Sequence, residues 1–361
     1  MDILRLVAVD PRSDPRWAPF VAAHPDGTVY HHPAWLRLLE RVYGYTPMHL
    51  ACETDEGHLR GVLPLFRTRG LITGRGLASL PRTPVAGPLA HDRRALAALV
   101  SAAIERVRAE PGGKLQFRIL STELDGLAEG LVGTPWETTY VLDLPQNSAT
   151  LRFGNSRNHG RIKWAVNKAE RLGVRVRPAE TERELRAWYE LYLDAMRWHV
   201  VPPRPYRFFQ ACWRELRPSG LMRLLLAEQV EAGRSRLLAG SLLLMFGHTV
   251  FYAFNGRRRD DLSLQPNNAL QWRAIHDACR EGYRRYDLGA VMEGNVGLAD
   301  FKAKWGAEPR HVHKFYYPGL WESEPGTVPV GGKVRRAADA AWRRLPLRAT
   351  ALIGNIVYSR L

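Results

Sequence analysis

Cysteine is nearly missing from this chain of 361 residues: Cys52, Cys212 and Cys279 lie far apart, with no metal-ligand spacing between them. That pattern excludes a disulfide scaffold and a cysteine-held metal centre, and leaves buried, reduced thiols of a cytoplasmic protein as the reading. Long apolar runs are missing too. No stretch approaches the roughly 20 apolar residues needed to cross a bilayer. The opening MDILRLVAVD reads as a short strand, with neither the apolar segment nor the cleavage site of a secretion signal. The histidines His31, His32, His199 and His276 are scattered, and no Ser-His-Asp order emerges. Neither a hydrolytic triad nor a bound metal is expected.

Acidic residues are scarce: 36 against 52 lysines and arginines, a net charge of +16. The excess is clustered. Leu151–Arg177 holds eight basic residues and one acid, and Lys333–Leu361 holds seven and one. Clustered cations suit anionic partners such as phosphates, nucleic acid or a membrane surface. The plainer alternative is a solvated, arginine-rich surface.

What is present is an internal similarity. LACE (Leu50–Glu53) is followed by GVLPLF (Gly61–Phe66), and LLAE (Leu225–Glu228) by GSLLLMF (Gly240–Phe246). Each reads as a strand ending in an acid, a polar turn (from Thr54, then from Gln229), and a second strand opening on glycine. Around the first hairpin the pattern predicts a helix over Pro33–Tyr43, a Gly/Pro-rich loop from Gly70 to Pro88, a helix from Arg93 to Glu110 and a strand over Lys114–Leu120. Around the second it predicts helices from Thr181 to His199 and from Pro205 to Leu216, and a strand over Thr249–Asn255. A helix from Asn267 to Gly282 and a strand over Tyr286–Gly289 follow. The order resembles that of the GNAT acyltransferase fold, twice. The expected class is α/β (α+β): tandem duplicated GNAT-like domains, each a mixed central sheet flanked by helices, plus a C-terminal helix. The expected domains are 1–147, 148–320 carrying the transfer site, and 321–361, a linker with a basic amphipathic helix. DLPQNS (Asp143–Ser148) marks the crossing between the first two.

Three stretches could carry chemistry. In SRNHGRIKWAVNKAERLG (Ser156–Gly173), Arg157, Arg161, Trp164, Lys168 and Arg171 form one helical stripe, opposite Ile162, Ala165, Ala169 and Leu172. Such a face suits a phosphate backbone, with the indole available to stack. In QPNNAL (Gln265–Leu270), Asn268 and Leu270 occupy positions where acyl-CoA-dependent GNAT enzymes place small residues around a pyrophosphate. Leu270 is expected to crowd that approach. In FKAKWG (Phe301–Gly306), Phe301 and Trp305 face the core. Lys302 and Lys304 share a side if the backbone is extended, and only one reaches inward if it is helical. A lysine fixed at a strand mouth can stabilise an oxyanion.

FKAKWGAE, preceded by YDLG (Tyr286–Gly289) and followed by HKFYYP (His313–Pro318), resembles the C-terminal signature of the Fem-type (FemXAB) peptidyltransferases and their FemAB-like GNAT relatives. The resemblance extends to Arg157–Val174 and Ala195–Trp213. It implies aminoacyl transfer from aminoacyl-tRNA to an amine of a small molecule or envelope precursor, with Lys302 assisting the transition state. It also implies that Arg157, Arg161, Trp164 and Lys168 lie along the acceptor end of the tRNA. Tyr252, Asn255, Asn267, Asn268, Lys304, Trp305, Trp35 and Arg37 are then the further substrate contacts. Asp287 or Glu293 would be the base, if one is needed. Two departures set the chain apart from the cell-wall enzymes: the first domain has no matching phosphate-holding lysine, Arg37 and Arg41 being nearby substitutes, and the coiled-coil arm is absent. Acyl-CoA is the alternative donor, and a non-catalytic nucleic-acid or membrane accessory the alternative role. No bound cofactor, a cytoplasmic monomer, and peripheral contact with an anionic membrane complete the expectations. The C-terminal segment could rest on that membrane or, as expected here, pack back on the first domain.

Overall fold

A computed structural model of the chain describes residues 3–70, 74–110, 112–231, 234–292, 294–320 and 332–360. Two units emerge from it. One comprises the residues up to Thr138 with a returning strand from Arg310; the other comprises Thr139–Pro309 with the C-terminal helices.

The first unit opens with β1 (Leu4–Ala8), α1 (Trp17–Ala23) and α2 (Pro33–Tyr43). Local chemistry sets the bounds of α2. The His32 side chain accepts from the Ala34 amide, Pro33 sits in the first turn where its missing N–H costs nothing, and Gly44 ends the helix in left-handed backbone. Then come β2 (Thr46–Pro47), β3 (Leu50–Thr54), β4 (Leu59–Leu63), β5 (Phe66–Gly70), β6 (Gly74–Ala78), β7 (Leu89–Ala90), α3 (Arg93–Arg108) and β8 (Lys114–Ile119). One antiparallel group runs β1-β3-β4-β7, and β8, β6, β5 and β2 lie side by side, β6 parallel to β8. Asp92 caps α3 by accepting from the Ala95 amide at 2.8 Å. The apolar side of α3, including Ala95, Leu99, Ala103 and Val107, packs in a core with Leu50, Leu63, Leu115 and Phe117.

The boundary between the units falls inside β9 (Val132–Asp143). The second unit continues with α4 (His159–Arg171), β10 (Val174–Pro178), α5 (Glu182–His199), α6 (Tyr206–Glu215), β11 (Met222–Glu231), β12 (Arg234–Phe246), β13 (Thr249–Arg257), α7 (Pro266–Arg280), β14 (Arg285–Val291) and α8 (Val296–Lys304). β15 (Glu308–Tyr317) pairs antiparallel with β8, and α9 (Gly332–Arg344) and α10 (Leu347–Arg360) follow. Strands β10 to β13 form an antiparallel run and β14 joins β13 in parallel. The core of this unit gathers Leu225, Ala227, Leu243, Leu270, Ile275, Tyr286, Leu288 and Trp305.

The two hairpins agree beyond their sequence likeness. In β3–β4 the register shifts between Cys52 and Glu53; in β11–β12 it shifts between Ala227 and Glu228. In both copies the extra residue lies on the second strand, Arg60 and Leu238, opposite the step into the acid. Both acids hold an arginine: Glu53 accepts from Arg16 at 2.7 Å, and Glu228 from Arg177 at 2.9 Å. The fold is a tandem pair of GNAT-like units.

Several expectations are corrected. The stretch from Gly70 to Pro88 is not loop throughout, since β5 and β6 form a hairpin there. Gly76 serves close strand contact, because a Cβ would lie 2.6 Å from the Lys114 carbonyl oxygen. The long strand β9 escaped the sequence pattern, its threonines and Pro135 blurring the alternation. Leu172 does not join the buried stripe of α4 but is 41% exposed, because the helix ends at Arg171. The C-terminal segment is two helices, broken near Pro346, and packs on the second unit rather than the first. Arg197 donates to the Leu345 carbonyl at 3.1 Å and Arg343 to that of Trp198 at 3.1 Å.

Candidate active site

The ladder between the parallel strands β13 and β14 joins Thr249 to Arg285, Val250 to Tyr286 and Phe251 to Asp287. The residues that follow these pairs, Tyr252 on β13 and Leu288–Gly289 on β14, stand at the mouth. Gly289 is in left-handed backbone, φ 81°. A side chain there is strained, and glycine is the residue that turns without cost. Asp287 fixes this turn. Its Oδ1 accepts from the Gly289 amide at 2.7 Å and from the Thr139 hydroxyl at 2.6 Å.

The turn presents its carbonyls to α8. Asn295 caps this helix by accepting from the Leu298 amide, and the helical backbone turns Lys302 inward, one of the two arrangements the sequence allowed. Lys302 is 4% exposed, and its Nζ donates to the carbonyl oxygens of Gly289 at 2.7 Å and Ala290 at 3.0 Å. Burying an ammonium costs several kcal/mol unless hydrogen bonds replace its water, and the strand end supplies them. A methyl added at Gly289 would lie 3.4 Å from the Tyr252 carbonyl oxygen and 3.8 Å from Lys302 Nζ, so backbone and cation close on one point.

Neighbouring polar groups line β12, β13 and α7. Ser241, buried on β12, takes a hydrogen bond from Asn255 Nδ2 at 3.1 Å and lies near the Tyr252 hydroxyl. Burial pushes the Tyr252 phenol up to about 12, against the opposing pull of Ser241. It therefore stays a hydroxyl, able to donate, at neutral pH. On α7, Asn267 Oδ1 and Gln271 Nε2, one turn apart, are buried with no hydrogen-bond partner among the described residues. Asn268 Nδ2 closes on Gln265 Oε1 at 2.8 Å, and Gln265 adopts left-handed backbone, φ 58°. Leu270 is buried in the core, so it does not crowd the start of α7 as expected.

The basic helix is joined to this centre. The Asn155 amide donates to the Lys304 carbonyl at 3.0 Å, its side chain donates to Ala303 O at 3.0 Å, and its Oδ1 accepts from the Asn158 amide at the start of α4. Gly154 permits the contact, since a Cβ there would lie 2.4 Å from the Lys304 carbonyl. Arg157, Arg161 and Arg171 are exposed, Trp164 is 54% exposed, and Lys168 Nζ sits 5.1 Å from the Trp164 ring centre. Ile162, Ala165 and Ala169 are buried on the opposite side.

The structure thus gathers Lys302, Tyr252, Asn255, Asp287 and, through Asn155, Lys304 and the α4 cations in one unit. Trp305 is a core residue and Phe301 packs beside it. Trp35 and Arg37 belong to the first unit, Trp35 buried with its indole N–H toward Thr83 at 3.4 Å and Arg37 exposed. Glu293 lies outside the described residues. Thr139, Ser241 and Gln271 went unread in the sequence. Ser241, a hydroxyl inside the apolar run GSLLLMF, was the one visible signal. Among the described residues no cluster of histidine, cysteine, aspartate and glutamate could hold a metal ion.

Residues 156–303 match the acetyltransferase (GNAT) domain family. Among solved structures, FemX superposes with a TM-score of 0.69 at 16% identity, covering 87% of this chain and 97% of its own. L-PGS from Bacillus licheniformis gives 0.56 at 12% identity, covering 88% of this chain and 95% of its own. A tandem GNAT protein from the clavulanic acid biosynthesis pathway gives 0.51 at 13%, covering 89% and 100%. No curated protein matches the sequence. The chain thus carries an acetyltransferase (GNAT) domain match over residues 156–303, and its fold is FemX-like.

Proposed function

We propose that this acyltransferase moves an aminoacyl group from aminoacyl-tRNA to the amine of a small molecule or cell-envelope precursor, forming an amide. The observation that carries the reading is the buried ammonium of Lys302, held by two carbonyls at the mouth of β13 and β14. The acceptor amine, arriving neutral, attacks the ester carbonyl. The C–N bond forms as negative charge develops on the carbonyl oxygen, which the fixed cation stabilises. Collapse breaks the C–O bond to the terminal ribose, and the amine proton ends on the departing ribose oxygen. Asp287 is engaged by the Thr139 hydroxyl and Gly289 amide, so its part is to shape the turn rather than to act as base. The exposed cations of α4, with Trp164, supply a face for the phosphates near the tRNA end.

The test is product mass spectrometry after incubation with charged tRNAs and a panel of amines, with a ribonuclease-treated arm. Amide products that vanish on ribonuclease treatment support the reading. Products that survive it, or form only with thioesters, overturn it. A thioester donor such as acyl-CoA is the second reading, favoured by the GNAT acetyltransferase match and by the inward turn of Leu270 at the start of α7. Thiol release from acyl-CoA in the presence of an amine would establish it.

A further inference from the structure

We propose that the exposed side of α10 docks the protein reversibly on an anionic lipid bilayer. This rests on the C-terminal helices alone and stands whether or not the donor is aminoacyl-tRNA.

α10 is seated on the second unit by one side only. Thr350 is fully buried, and a Cβ on Gly354 would lie 2.2 Å from the Pro203 carbonyl oxygen, so the helix presses directly on that segment. Tyr358 lies under the guanidinium of Arg204, 5.5 Å from its ring centre. The other side carries Arg348, Leu352, Asn355 and Ile356, spaced by one and two turns and therefore in one stripe. Leu352 is 60% exposed and Ile356 44%. Arg207 and Tyr206 of α6 line a shallow hollow with Asn355 and Ile356.

Two aliphatic side chains in water, flanked by Arg348 and Arg207, make an amphipathic surface. Charge complementarity selects the occupant. Residues 333–361 carry seven basic residues against Asp339 alone, and Arg336, Arg343 and Arg344 are exposed on α9. Headgroup phosphates meet the guanidiniums while Leu352 and Ile356 enter the acyl boundary. A nucleic acid would use the cations but gain nothing from two aliphatic groups. The face suited to it is α4, where an exposed indole is interleaved with the charge. Among the described residues no helix is long and apolar enough to cross a membrane, so the contact lies at the surface. With so little apolar area it is weak and salt-sensitive.

The test is sedimentation of the full chain with phosphatidylglycerol-containing vesicles and with phosphatidylcholine vesicles, at low and at physiological salt. The wild type is expected to pellet with the anionic vesicles only. The double variant Leu352→Glu/Ile356→Glu is expected to weaken that partition by about tenfold, with an unchanged thermal melt. A Leu352→Cys variant labelled with an environment-sensitive dye reports independently, the three native cysteines being buried, and its emission is expected to shift to the blue on anionic vesicles. Equal sedimentation of the double variant, or an unshifted dye emission, overturns the proposal. So does loss of tRNA binding, instead of vesicle binding, in the double variant.

Discussion

Lys302 Nζ donates to the carbonyl oxygen of Gly289 at 2.7 Å, tying the last residue but two of a helix to the turn of a parallel strand. Two backbone carbonyls, of Gly289 and Ala290, therefore help to position the cation. Lys302→Met keeps the length and removes the charge. It is expected to lower kcat by about 10²–10³, as loss of one oxyanion-stabilising group does. Turnover of the transfer reaction checks this, beside a melt showing that the variant folds. Lys302→Met with full turnover would remove the proposed role.

Gly289→Ala tests the turn itself. With φ at 81°, a Cβ costs roughly 1–2 kcal/mol of strain before any contact is counted. The midpoint of urea unfolding is expected to fall accordingly, and turnover to fall with it, because the carbonyls that hold Lys302 shift.

Thr139→Val removes the hydroxyl that donates to Asp287 while keeping the volume. The buried carboxylate then loses a 2.6 Å partner, which costs about 1–3 kcal/mol. If Asp287 positions rather than exchanges protons, kcat falls without any change in the shape of its pH profile. A moved pH optimum would instead give Asp287 a proton-transfer role.

Acid should unfold the first unit early. Burial holds His31 and His49 near pKa values of about 4, below the ordinary 6.5. The unfolded chain binds protons at these sites as the pH falls through about 6.5, and the folded chain resists until about 4. Stability is thus present in full above that window and is lost on descending through it. At pH 5.5 the loss is about 1 kcal/mol for each histidine. Urea midpoints at pH 7.5 and 5.5 measure it. His31→Gln, which can still donate to the Gly87 carbonyl, is expected to flatten the dependence.

If α4 meets tRNA, salt reports on it. Replacing Arg161 by Ala is expected to lower the slope of log affinity against log salt by about 0.7–0.9, the contribution of one phosphate contact. An unaltered slope would move the RNA elsewhere. Trp164→Ala should weaken binding with the slope unchanged, because stacking releases no counterions.

Much of the fold was legible because its elements carry their own signals. His32-Pro33 before a helix, Gly44 after it, and the repeated acid-ended hairpins all appear in the chain. The tandem arrangement followed from that repetition. What stayed hidden depends on tertiary pairing: β9 owes its existence to neighbours on both sides, and β6 uses glycine for close contact. The candidate site divides in the same way. Lys302 stood out by its place between an aromatic and Trp-Gly, but Thr139 is 148 positions from the Asp287 it touches, and no local pattern connects them.

The Asn155 joint has one more consequence. It clasps the entry of α4 to the exit of α8, with both of its bonds formed to backbone, so neither helix end can drift without the other. If α4 holds a polyanion as proposed, the joint gauges that cargo against the ammonium on the second, a built-in ruler from grip to strand mouth.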